Sequence, residues 1–187
     1  MDKRVFDILL GLVLSIVLFP VILMLALAVN LSSKGPVIHW SKRVGRNNKI
    51  FLMPKFRSMR TDAPQVATHL LAGSQNYVTN VGVFLRKTSL DELPQLWSVL
   101  VGDMSFVGPR PALFNQDDLV ELRTRHGIER LRPGITGWAQ VNGRDDISIP
   151  VKVQLDKEYL EKKSLWFDVK IILLTFVKVF RAEGIRH

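Results

Sequence analysis

The longest feature in the hydropathy pattern is an apolar run from Val5 to Leu31 whose only charge is Asp7. As one α-helix it would reach roughly 40 Å, more than the hydrocarbon core of a bilayer at about 30 Å. Pro20 sits near its middle. A proline inside a helix removes a donor and clashes with the carbonyl four residues back, here that of Ile16, at a cost of about 3 kcal/mol. The halves Val5 to Phe19 and Pro20 to Leu31 would each reach only roughly 18–22 Å, too short to cross. Lys3 and Arg4 precede the run, and Lys34, Lys42, Arg43, Arg46 and Lys49 follow it. The positive-inside rule keeps both flanks cytoplasmic. The expectation is a helix broken at Pro20 that enters one leaflet and returns, over residues 1–33. A kinked full span and a core helix packed on protein compete with it. A signal peptide fits poorly, because its apolar region is about 7–15 residues and ends at small residues.

Past residue 33 the period changes. Val37 to Arg43 and Lys49 to Met53 carry β-favouring residues around Gly45-Arg46-Asn47-Asn48, which reads as a β-hairpin. The polar stretch Thr61 to Asn80 reads as a short helix with loops. Leu93, Leu96, Trp97 and Leu100 recur at helical spacing, so a helix is predicted over Asp91 to Leu100, capped by Thr88 or Ser89, with Asp91 and Glu92 in its first turn. Asp117 to Arg130 and Val151 to Lys163 read as charged, exposed helices, and the turn-rich stretch Arg132 to Arg144 between them as a loop. Leu165 to Phe180 is apolar apart from Asp168, Lys170, Thr175 and Lys178. That suits a helix lying in the membrane interface, its lysines reaching headgroups; a buried helix is the competing reading. The fold class expected is α+β, mostly helical. One domain is expected over 1–187, with a membrane part at 1–33 and a cytoplasmic and interfacial part at 34–187.

Charge narrows the partners. Against 17 Asp and Glu stand 26 Lys and Arg, a net charge of +9, which calls for nucleic acid, anionic lipid or a phosphorylated substrate. The basic residues are spread among apolar segments without a recognisable binding motif, which argues against nucleic acid. With no cysteine, disulfides and thiolate zinc sites are excluded. The four histidines lack metal-site spacing, and neither G-x-S-x-G nor a P-loop is present.

What remains is the carboxylate pair Asp91-Glu92 among Arg86, Lys87 and the Pro109-Arg110-Pro111 turn. Taken singly each has a structural reading: a helix-dipole partner, a solvated cation, a turn. Together they permit a carboxylate to attack phosphorus and form an acyl phosphate, provided Mg²⁺ and arginines neutralise the charge. Arg110, stiffly presented between two prolines, suits a bidentate phosphate clamp. The residues themselves leave open a membrane enzyme and a non-catalytic basic adaptor that binds anionic phospholipid.

The segments Lys55-Phe56-Arg57-Ser58-Met59, Thr88-Ser89-Leu90-Asp91-Glu92-Leu93-Pro94-Gln95-Leu96, Gly102 to Pro111 and Arg132 to Arg144 resemble, in this order, the bacterial sugar transferase family of monotopic polyprenyl phosphate phosphoglycosyl transferases. The resemblance implies a ping-pong reaction at the cytoplasmic face of the bacterial inner membrane. Asp91 would attack the sugar-linked phosphate of a UDP-sugar, releasing UMP, and polyprenyl phosphate would then take the sugar phosphate from Asp91. It also implies Mg²⁺ contacted by Asp91, assistance from Glu92, phosphate binding by Arg110, and further phosphate contacts from Lys55, Arg86 and Arg144. Asn142 would organise its loop. Small members often place Ser before the helix-breaking proline, whereas Phe19 precedes Pro20 here. The chain's small size leans towards modified amino-sugar donors such as diacetylated bacillosamine.

Overall fold

The structure is a computed structural model that describes residues 2–62, 77–143 and 147–180. Helix α1 runs from Lys3 to Ser32 with Pro20 inside it. The expected break into two helices is therefore corrected to one helix. Pro20 removes a single backbone donor, while the apolar residues on both sides keep their own helical bonds, which nothing in a lipid environment could replace.

The placement of α1 decides how it meets a membrane. One stripe faces the body of the protein: Asp7, Gly11 and Val29 are buried, and Leu10, Leu14, Leu18, Ile22, Leu25 and Ala26 pack on the core between them. These positions recur every three or four residues, as one face of a helix requires. The opposite face leaves Val13, Ile16, Val17, Phe19, Leu23, Met24 and Leu31 exposed. Both ends are tied to the same body. The Arg4 guanidinium donates to the Val99 and Leu100 carbonyls, and at the other end Arg57 donates to the Ser33 carbonyl. A helix that crossed the bilayer would carry one end away from that body, so this chain is monotopic, with α1 laid along the protein.

Asp7, the lone charge of the run, accepts from the Ser105 hydroxyl at 3.0 Å and the Phe106 amide at 3.2 Å. It pins α1 to β3, Ser105–Val107. The last helix, α7 over Leu165–Phe180, matches its predicted span. It exposes Trp166, Leu173, Phe176 and Val177 while buried Asp168 accepts from Lys3 of α1 and, at 2.7 Å, from the Tyr159 hydroxyl. Burial and the neighbouring Asp168 push the Tyr159 phenol far up, so it stays protonated and donating.

The hairpin appears as predicted and longer: β1 Ile38–Val44 and β2 Ile50–Phe56 pair antiparallel, with His39 opposite Lys55 and Val44 opposite Ile50. Helix α2, Asn80–Thr88, was not expected, and much of the 61–80 stretch read as a short helix lies outside the described residues. Helix α3 covers Gln95–Val101 and α4 Asp117–Arg125; the predicted helix to Arg130 instead ends there, with a separate 3₁₀ turn at Ile128–Arg130. Helix α6, Ile149–Lys162, follows the expected course.

The Arg132 to Arg144 stretch is no loop. It holds β4, Gly134–Thr136, parallel to β3, and α5, Trp138–Gly143; Asn142 donates back to the Trp138 carbonyl within α5. Its glycines serve close approach. A Cβ on Gly134 would lie 2.1 Å from the Gly108 nitrogen, and one on Gly137 2.1 Å from the Gly108 carbonyl oxygen. The two glycine-bearing motifs thus form one packed unit with the Pro109-Arg110-Pro111 turn at its edge.

Candidate active site

Asp91 and Glu92 do not begin a helix. They lie on a 3₁₀ turn, Leu90–Glu92, between α2 and α3. Ser89 adopts φ 58°, a left-handed conformation that costs a non-glycine residue roughly 1–2 kcal/mol, and reverses the chain after α2. Pro94, whose ring removes a backbone donor, stands as the N-cap of α3, so the regular helix begins at Gln95 although Leu93 and Pro94 already have helical dihedrals. Leu90 and Leu93 pack against the cluster of Val29, Phe56 and Leu85. That inward anchorage turns Asp91 and Glu92 towards β2.

There they meet Lys55. Its ammonium donates to Glu92 Oε1 at 2.6 Å and stands 4.0 Å from Asp91 Oδ2. Arg110 Nη2 lies 3.6 Å from the same Glu92 oxygen. Arg86, on α2, donates to the Ser58 hydroxyl at 2.8 Å and feels the charge of Asp91. The structure thus brings Lys55, Arg86, Asp91, Glu92 and Arg110 together from four separate segments. Arg144 lies outside the described residues. A cleft beside Glu92 and Arg110 is also lined by Arg43, Gln95 and Ile135.

The two carboxylates live in opposite conditions. Burial alone would raise the Glu92 carboxyl, but Lys55, Arg110 and Arg43 outweigh it and hold it down to about 2. Burial pushes the Asp91 carboxyl up, Glu92 adds to that, and Lys55 and Arg86 only partly offset it. Glu92 is spent on its cations. Among the described residues Asp91 keeps only the longer 4.0 Å pairing to the same Lys55, which leaves its oxygens more available to an electrophile or a metal ion.

No group of three or more metal-ligating side chains occurs among the described residues. Mg²⁺ needs no such cage, since it keeps waters and takes one or two carboxylates together with substrate phosphates. Asp91, a carboxylate left over beside guanidinium groups, fits that donor set.

Arg57, within the Lys55 to Met59 segment and expected singly to be solvated, is instead only 6% exposed and holds the end of α1. Two residues escaped the reading of the sequence. Arg123 on α4 and Asp156 on α6 form a buried ion pair at 2.6 Å behind Arg110. Their charges looked like those of any solvated helix, and only the crossing of α4 and α6 buries them.

A carboxylate beside cations, at the edge of a body that carries its own long apolar helix, is the site of a monotopic membrane protein. The bacterial sugar transferase profile matches residues 1–182, and the chain belongs to that family. It is 42% identical over 185 residues to the UDP-glucose:undecaprenyl-phosphate glucose-1-phosphate transferase of Escherichia coli K12, covering 95% of this chain and 40% of that protein. It is 38% identical over 198 residues to the undecaprenyl-phosphate galactose phosphotransferase of Salmonella typhimurium, covering 97% and 41%. An uncharacterized sugar transferase, EpsL of Bacillus subtilis, is 41% identical over 187 residues, covering 99% of this chain and 90% of that protein. The chain spans about 35–41% of the glucose and galactose transferases it resembles.

Proposed function

We propose that this chain transfers a sugar 1-phosphate from a UDP-sugar to polyprenyl phosphate, with Asp91 as nucleophile. The observation that carries the reading is the asymmetry of the carboxylates: Glu92 is held by Lys55 at 2.6 Å and by Arg110 at 3.6 Å, while Asp91 has Lys55 only at 4.0 Å and stays undercompensated for its burial. A carboxylate oxygen of Asp91 attacks the sugar-linked phosphorus. The bond from phosphorus to the UMP oxygen breaks, UMP leaves, and the sugar phosphate remains on Asp91 as an acyl phosphate. An oxygen of polyprenyl phosphate then attacks that phosphorus and frees the Asp91 carboxylate, giving polyprenyl diphosphosugar.

Most of the barrier in such a transfer is met by positioning and charge stabilisation. Arg110 and Arg86 supply cationic groups at the phosphates, and Glu92 holds Lys55 at the nucleophile's side. Mg²⁺, held by Asp91 and substrate phosphates, would supply further neutralisation of the diphosphate. Monotopic placement keeps the reactive turn beside the lipid surface where the polyprenyl phosphate lies, with the cytoplasmic face of the inner membrane as its site. Glucose and galactose are the sugars in the relatives' names, so they head the donor panel; the lean towards a modified amino sugar gains nothing from them.

The test is trapping. Detergent-purified protein given a UDP-sugar labelled in the sugar, without acceptor, is expected to release one equivalent of UMP and retain label, and Asp91→Asn to do neither. Equal labelling of Asp91→Asn would sink the nucleophile. A protein that binds anionic vesicles but releases UMP from no donor would favour the non-catalytic adaptor.

A further inference from the structure

The turn that carries Arg110 is held in an unusual way. Proline has no N–H, so Pro109 and Pro111 contribute only acceptors. Four consecutive carbonyls, from Pro109 to Ala112, are each held from outside the turn. The Gly134 amide donates to Pro109 at 2.9 Å and the Val44 amide to Ala112 at 3.0 Å. Arg43 Nη1 donates to Pro111 at 3.3 Å. The carbonyl of Arg110 itself is taken at 2.8 Å by Arg123 Nη1.

Arg123 is not a solvated helix residue. Its Nε and Nη2 both donate to Asp156 Oδ2, at 3.0 and 2.6 Å, and the two side chains are 10% and 2% exposed. One guanidinium therefore bridges α6 and the backbone of Arg110. Replacing a buried ion pair by apolar residues of similar volume is often neutral or stabilising, so stability alone gives a weak reason for this one.

We infer that Arg123 and Asp156 are positioning residues, fixing the Arg110 backbone so that its guanidinium is aimed at the substrate diphosphate. The inference rests on the reading of Arg110 as a phosphate-binding group. Asp156 fixes the plane of the Arg123 guanidinium by accepting from two of its nitrogens, and the third nitrogen meets the carbonyl at a set angle. The backbone at Arg110 is then held, so half-exposed Arg110 reaches the cleft from a fixed base and only its side chain is ordered on binding.

A binding cycle tests this in the full-length protein, with UDP and inorganic diphosphate as calorimetric probes. Arg123→Met combined with Asp156→Leu is expected to melt at the same or a higher temperature, yet to bind both probes about tenfold more weakly, one lost charge-assisted contact's worth. In an Arg110→Ala background the same pair is expected to change affinity no further. Should the apolar pair fail to fold, Arg123→Lys serves instead: it keeps a cation beside Asp156 and loses the fork, and the same dependence on Arg110 is expected. Affinity unchanged by these substitutions, or lowered equally with and without Arg110, overturns the inference. Wild-type affinity in Arg110→Ala alone would sink Arg110 as a phosphate group, and with it both readings.

Discussion

Two regions of this molecule bury charge, and they treat it differently. Along the seam between α1 and the body the buried charges are compensated: Asp7 accepts from Ser105 and Phe106, Asp168 from Lys3 and Tyr159, and Arg57 donates to the carbonyls of Pro36 and Ser33 with only its Nε left without a partner among the described residues. At the 3₁₀ turn, Glu92 is compensated in the same way, but its neighbour Asp91 is desolvated without an equivalent partner. A satisfied buried charge holds elements together, whereas an uncompensated one stores free energy that a ligand or an electrophile can release.

The largest expected effect separates the two regions outright. Asp91→Asn is expected to lower UMP release by about a thousandfold or more, as loss of a nucleophile does, while the melting temperature holds or rises. The sign follows from linkage. Asp91 has its carboxyl raised in the folded state, so its ionisation opposes folding, and stability falls as pH rises through the raised value. Removing the charge removes that loss. A melting temperature that drops in Asp91→Asn would show that the carboxylate is a structural partner after all.

Next in size is the reverse case. Asp168→Ala takes the acceptor from a partly exposed Lys3 and leaves the Tyr159 hydroxyl only the longer bond to the Val107 carbonyl at 3.2 Å, at a cost of about 2–4 kcal/mol. The melting temperature is expected to fall by about 10 °C, with turnover per folded molecule nearly kept. Turnover lost in proportion to an Asp91 variant would erase the distinction between seam and site.

A smaller effect sharpens the electrostatics. Asp91 must be ionised to attack, so turnover is expected to rise with pH through its raised pKa. Lys55 is the largest of the influences pulling that pKa down, and Lys55→Met is expected to move the acid limb of the pH profile to higher pH. A limb that stays in place would show that Asp91 does not set it.

The smallest is a stability signature. Glu92 is held at about 2 against an ordinary 4.5, so its contribution is complete above pH 4.5 and is lost as pH falls towards 2. Wild-type stability is expected to decline over that window more steeply than that of Glu92→Gln, read from melting curves between pH 3 and 5.

Where the sequence was legible, local rules had no rival. The hairpin shows because strand residues bracket turn residues, and α7 because a long apolar run is interrupted only by Asp168, Lys170, Thr175 and Lys178. The membrane helix was visible as a run but wrong in detail. Pro20 predicted a break from its own geometry, while its continuation depends on what surrounds it. Asp91 and Glu92 were found, yet placed in a helix's first turn, because the start of α3 at Gln95 and the reversal at Ser89 are settled by packing of Leu90 and Leu93 on Phe56 and Leu85. The stretch from Arg132 to Arg144 looked like a loop because its glycines were read as turn formers. Gly134 and Gly137 are contact points against Gly108, a role no local pattern encodes.

By itself the sequence determined that this chain carries one long apolar segment, that it seeks an anionic partner, and that its chemistry lies in carboxylates and guanidinium groups. Those properties follow from composition and short-range order, which the chain has before it folds. Only the tertiary structure decided which carboxylate is spent and which is available, since Lys55 and Arg110 reach Glu92 across 37 and 18 positions of sequence. It also decided that α1 lies along the body, because that rests on contacts at both its ends. Desolvation and charge pairing act through space, and so they exist only once distant segments have met.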